Sequence, residues 1–203
     1  MTAEAVSTDM PEKPPLLPDW VFPPPGGFVA EDLDRIPDLP AHTELLDGSL
    51  VFVSPQASFH MRAISLIEEN LRRQAPKDVR VRREMSVVLG SSQRPEPDLC
   101  VINTEADQDD QQTFFWARDV HLIIEVVSPE SEVRDRRRKP QLYAEAGITH
   151  FWLVERANKR PAVHVYELDE ATGAYAVTGI HHDRLKLSVP FAIDIDLTEI
   201  DRL

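Results

Sequence analysis

What this chain lacks narrows its class before any motif is read. It has a single cysteine, Cys100, so no intramolecular disulfide can form and no cluster of thiolates can cage a metal. That thiol is expected to pack as a small hydrophobe beside Asp98. No apolar run approaches the roughly 18 residues that span a bilayer, so no membrane partner is expected. The N-terminal MTAEAVSTDMPEKPPLLPDW has neither the basic start nor the apolar stretch of a secretory signal, and a cytoplasmic location is the expectation. No GxxxxGK[ST] loop occurs, which argues against nucleoside triphosphate hydrolysis. The histidines show no zinc-ligand spacing with cysteines, and no internal repeat is visible.

Positive charge is also in short supply. Lys and Arg number 22 against 35 Asp and Glu, a formal net charge of −13 over 203 residues. That balance argues against a protein that coats nucleic acid non-specifically. Half of the basic residues nevertheless fall in two short stretches: Arg72, Arg73, Lys77, Arg80, Arg82 and Arg83, then Arg134, Arg136, Arg137, Arg138 and Lys139. Each reads equally well as a solvated surface. The second adjoins a carboxylate-bearing strand, where positive charge suits a phosphate backbone, so Arg134, Arg136, Arg137 and Arg138 are the candidate nucleic-acid contacts.

Residues 1–30 hold seven of the 17 prolines and are expected to form an extended arm, leaving 31–203 as a single domain. AEDLDRI suits a helix start. HTELLDGSLVFVSP reads as a hairpin turning at Asp47 and Gly48. In QASFHMRAISLIEENLRRQ, Met61, Ile64, Ile67 and Leu71 recur at helical spacing. DVRVRREMSVVLG is an interrupted strand, PDLCVI a strand, NTEADQDDQQ an acidic loop and DVHLIIEVVS a central strand. PQLYAEAG is a helix closed by Gly147, and THFWLVE is another strand. A strand, helix, strand unit places its strands parallel. PAVHVYEL, 174–180 and RLKLSVPFAIDI read as antiparallel additions at one edge. The fold class is therefore α/β: a mixed sheet flanked by helices, with extra antiparallel strands toward the C-terminus.

The chemistry concentrates between Pro97 and Tyr143. A carboxylate in an apolar strand needs compensation, since burying an unpaired charge costs several kcal/mol or shifts its protonation. Strand alternation puts Glu125 on one face with Val127, and Asp98 on one face with Cys100 and Ile102. If the two strands pair, both acids meet at one end and can hold a hard divalent cation. Magnesium there would polarise a phosphate and lower the pKa of a bound water. Lys139, Leu142, Tyr143 and Ala146 fall on one helical stripe, which buries the lysine where it can stabilise negative charge on phosphorus. Pro140 suits the first turn. Asp135 is expected to cap that turn, or to pair with the arginines.

These residues resemble the Uma-type restriction endonuclease family, a branch of the PD-(D/E)XK nuclease superfamily. The resemblance runs from about Thr43 to Glu155. It rests on the TELLDGSLVFVSP hairpin, His60 opening the next helix, Pro97-Asp98, IIEVVSPES at 123–131 and DRRRK…LYAEAGITHFWLVE. It implies a restriction endonuclease-like core and a magnesium-dependent endonuclease acting on DNA, with manganese able to substitute. Asp98 and Glu125 would be the ligands, and the carbonyl of Val126 would complete the shell. The superfamily commonly places its lysine where this chain has Val127. This branch carries it on the following helix, which points to Lys139. Glu44 matches an additional active-site carboxylate.

Plainer readings stand beside each residue. Glu125 could serve a structural ion pair, Asp98 could end a loop, and Lys139 could snorkel to solvent. His60 reads more readily as a surface or helix-start histidine than as a catalytic base. For the whole chain, the alternatives are a catalytically silent module binding nucleic acid or a protein, and a hydrolase of small phosphoesters. Cutting both strands of a duplex would favour a two-fold homodimer.

Overall fold

The structure, a computed structural model, describes residues 18–53 and 56–203. Asp47 and Gly48 adopt φ of 52° and 71°, the paired left-handed geometry of a two-residue hairpin turn. They join β1 (Glu44–Leu46) to β2 (Ser49–Val51) in antiparallel register. Ser54 and Pro55, the end of the expected hairpin segment, lie outside the described residues. So does the expected proline-rich arm as far as residue 17.

Most of the remainder of that arm is exposed, but its last residues pack before residue 31. Phe28 and Ala30 are buried with Leu45 and Val88, and their N–H groups donate to the carbonyls of Gly48 and Ser91 at 2.8 Å. Gly27 permits this approach: its φ is 84°, and a Cβ there would sit 2.9 Å from the Gly48 oxygen. AEDLDRI forms a 3-10 turn, Ala30–Asp34, in which Asp32 accepts from the Val29 N–H at 2.8 Å.

Helix α1 (Ser58–Gln74) follows, and its buried stripe runs His60, Ala63, Ile64, Ile67 and Leu71. Met61, expected on that stripe, is half exposed. At about 100° per residue His60, not Met61, lies in line with Ile64, Ile67 and Leu71. The next strands are β3 (Val79–Arg83), β4 (Ser86–Val88), β5 (Leu99–Asn103), β6 (Phe114–Trp116) and β7 (Val120–Val126). Glu84, at φ 51°, is the interruption expected between β3 and β4. A parallel pairing of β4 with β6 has no counterpart in the sequence reading.

Helix α2 (Lys139–Glu145) crosses from β7 to β8 (His150–Ala157), and the two strands pair in parallel, as a right-handed crossover requires. Gly147, at φ 78°, follows the helix. The chain then adds β9 (Arg160–Asp169) and β10 (Ala174–His181), both antiparallel, giving a six-stranded mixed sheet of order β10-β9-β8-β7-β5-β3. The last hairpin, β11 (Arg184–Leu187) and β12 (Ile193–Asp196), departs from expectation: it forms its own two-stranded sheet. Its alternating Leu185, Ile193 and Ile195 seal the α1 side of the core instead of extending the edge.

The central sheet buries both faces. On one, Leu99, Val101, Leu122 and Ile124 meet α1. On the other, Cys100, Ile102, Ile123 and Phe151 meet Tyr143 of α2. Cys100 is the small hydrophobe expected, with burial pushing its thiol up to about 12.

Candidate active site

The β5–β7 register brings two distant acids together. Leu99 pairs with Ile124 in antiparallel register, so one step further Asp98 stands opposite Glu125 at the end of the sheet. Asp98 is held at both oxygens: Oδ2 accepts from the Val126 N–H at 2.6 Å, and Oδ1 lies 3.0 Å from Nε2 of His60. His60 lies in the first turn of α1, as a helix-start histidine would, but is buried and not at the surface.

Lys139 completes the centre from α2. Its Nζ lies 2.8 Å from Oε1 of Glu44, 3.1 Å from Oε1 of Glu125 and 3.5 Å from Oδ1 of Asp135. Each element makes its own contribution to that placement. The Asp47-Gly48 turn presents Glu44, whose Oε1 also accepts the Glu96 N–H at 2.9 Å. Arg138 forks onto Asp47 at 2.8 and 2.5 Å, tying the start of α2 to the hairpin. The π-helical turn Arg134–Arg138, closed by a bond from the Lys139 N–H to the Arg134 carbonyl, sets Asp135 one turn before the lysine. Such π-turns recur at functional sites. On the other side, Tyr143 donates its hydroxyl to Oε1 of Glu125 at 2.5 Å.

Electrostatics follow from this crowding. Burial pushes Glu125 well above the usual carboxylate range; Lys139 pulls it down, while Asp135, Asp98 and Glu44 push it further up. Asp135 is raised, again chiefly by burial. For Lys139, burial would lower the ammonium, yet Glu125, Glu44 and Asp135 together hold it well above its ordinary value. Burial, reinforced by Glu125, keeps the Tyr143 phenol protonated. Glu44, Glu125 and Asp135 thus surround the ammonium of Lys139, and Asp98, His60 and Arg134 line the same cavity of about 30 Å³. A wider cleft of about 320 Å³ opens beside it, lined by His42, Glu84, Glu96, His60 and Asp98.

The residues present suit a hard divalent cation. The carboxylates of Asp98 and Glu125 and the carbonyl of Val126 are oxygen groups, the donor type such a cation takes, and Asp135 Oδ1, although 3.5 Å from Nζ of Lys139, is buried without a hydrogen bond. Among the described residues no group of three or more His, Cys, Asp or Glu is arranged to hold a metal ion. Val127, at the commoner lysine position, packs against the α2-side core.

The arginine cluster is largely spoken for. Arg134 pairs with Glu130, Arg136 with Glu132 and Glu155, and Arg138 with Asp47. Arg137 is exposed. Asp135 neither caps α2 nor pairs with these arginines; it turns inward to Lys139. Its position four residues before the lysine carried that signal, because residues at that spacing share a helical face. His60 was legible in the same way, from its alignment with Ile64, Ile67 and Leu71. Tyr143 belonged to the expected buried stripe, but nothing in the sequence marked its hydroxyl as a partner of Glu125.

A mixed sheet with paired acids at one strand end, faced by a helix carrying a lysine, is a restriction endonuclease-like fold. A crystal structure titled as a "putative nuclease belonging to DUF820" from Anabaena variabilis ATCC 29413 shares it, with TM-score 0.62 and 15% identity over 85% of this chain and 97% of that one. The family model described as "Uma2: Putative restriction endonuclease" matches residues 30–198, and the chain belongs to that family. Two NucC structures overlap less. The cAAA-bound form from P. aeruginosa ATCC27853 has TM-score 0.34 and 13% identity over 57% of this chain and 69% of that one. The apo form from E. coli MS115-1 has TM-score 0.36 and 12% identity over 61% and 79%. No curated protein matches the chain. Among the described residues, no helix is long and apolar enough to cross a membrane.

Proposed function

We propose that this protein is a magnesium-dependent DNA endonuclease, with manganese able to substitute, whose centre is Asp98, Glu125, Lys139 and Glu44. The observation that carries the reading is the inward ammonium of Lys139, 2.8 Å from Glu44 and 3.1 Å from Glu125, beside the Asp98 carboxylate. Asp98, Glu125 and the Val126 carbonyl would hold the cation, which when bound polarises a phosphate oxygen and acidifies a water. His60 and the Val126 N–H orient Asp98, while Tyr143 orients Glu125. Glu44 and Asp135 fix the ammonium of Lys139, which is poised to stabilise charge accumulating on the scissile phosphate. The exposed Arg137 offers a phosphate contact outside the cavity.

Tag-free protein is expected to cut plasmid DNA with Mg2+ or Mn2+ and to lose that activity in Glu125→Ala. The reading fails if the protein binds neither ion and Glu125→Ala cuts DNA as well as wild type. A catalytically silent module is favoured by one observation, the internal pairing of Arg134, Arg136 and Arg138. DNA binding without turnover under both metals would select it.

A further inference from the structure

The two edges of the central sheet are protected very differently. At one edge, β3 (VRVRR) carries Arg80, Arg82 and Arg83 within five residues, the charged guard that keeps an exposed edge from pairing with another chain. At the other edge, β10 (AYAVTGIH) carries no Asp, Glu, Lys or Arg in eight residues. The uncharged stretch extends from Ala171 to His182. Val177 and Ile180 stand 54% and 53% exposed on it. Its one irregularity is a register shift against β9 between Val177 and Gly179, which leaves Ala174–Val177 regular.

We infer that β10 is a self-association edge, pairing antiparallel with β10 of a second copy about a two-fold axis and joining two central sheets into one. Charge selects the occupant. Each molecule carries a net −13, so copies repel over most of their surfaces, and this stretch lets them meet with no charge opposing another. A charged peptide would find no counter-charge along the strand. A two-fold contact needs only a self-complementary patch, which an uncharged strand with exposed backbone groups and protruding Val177 and Ile180 supplies. The inference is independent of the reaction proposed above.

Sedimentation equilibrium of the full chain, over about a hundredfold range of concentration into the high micromolar, tests it. Wild type is expected to be a dimer that dissociates on dilution. Val177→Lys and Ile180→Lys, each installing the kind of guard β3 already has, are expected to weaken dimerisation at least about tenfold without changing the far-UV circular dichroism. A wild type that is monomeric throughout overturns the inference, as do folded lysine variants that remain dimeric. Should either variant misfold, amide exchange of wild type decides: β10 amides should exchange more slowly at high concentration, and concentration-independent exchange there overturns it.

Discussion

Replacing Lys139 by Met keeps the stem of the side chain and removes the one cation from among Glu44, Glu125 and Asp135. All four side chains are at most 5% exposed. Losing one partner of a buried ion pair costs about 3–5 kcal/mol, because the remaining charge is left in a poor solvent. For a domain of this size that loss lowers Tm by on the order of 10 °C. The cost should depend on pH in a defined direction. Glu125 and Asp135 are already raised by burial in the folded state, and without the ammonium they rise further. The folded variant therefore binds protons more tightly than the unfolded chain, so its deficit grows with rising pH and shrinks as the pH is lowered, a trend to follow between about pH 8 and about 5.5. Thermal denaturation of wild type and variant across that range measures this. Adding Glu125→Gln to Lys139→Met should recover part of the loss, as expected for coupled neighbours. A variant as stable as wild type, or one whose deficit is the same at every pH, would refute the idea that the lysine compensates these acids.

Two further outcomes follow from contacts around the cleft. His42, whose Nδ1 lies 2.5 Å from Oε1 of Glu96, is raised above 6.5 chiefly by that hydrogen bond, against the opposing effect of burial. The pair's stabilisation is therefore full below the unfolded histidine value and lost as pH rises through the folded one. His42→Asn, which tolerates the φ of 59°, should cost up to about 1 kcal/mol near pH 6 and nothing near pH 9 by urea denaturation, since His42 is half exposed. His60→Ala should weaken Mn2+ affinity about 10–100-fold by calorimetry, the usual effect of losing a group that orients a ligand. Unchanged affinity would mean that His60 does not position Asp98.

Much of this geometry was legible because it depends on local periodicity. Strand alternation correctly separated the Glu125 face from the Leu122 and Ile124 face, and the helical stripe correctly buried Lys139 with Leu142 and Tyr143. The Asp47-Gly48 turn was marked by residue type alone. What escaped was non-local or irregular. No sequence period marks a π-turn, and Asp135 read as a cap or an arginine partner although its spacing to Lys139 put the two on one helical face. The pairing of β4 with β6 joins two three-residue segments that have β5, a strand of another sheet, between them in the chain. The β11–β12 hairpin alternates as an edge strand would, and only the uncovered side of α1 decides where it packs. Within α1, counting apolar residues favoured Met61 and hid His60, a polar residue on the buried stripe.

Crystals soaked in Mn2+ and measured at an anomalous wavelength test the central claim most directly. The expected result is a single strong peak at about 2.1 Å from carboxylate oxygens of both Asp98 and Glu125, with Lys139 still facing Glu44. A chain whose acids keep only their Lys139, Tyr143 and His60 contacts at saturating Mn2+, with no peak between them, would contradict the account.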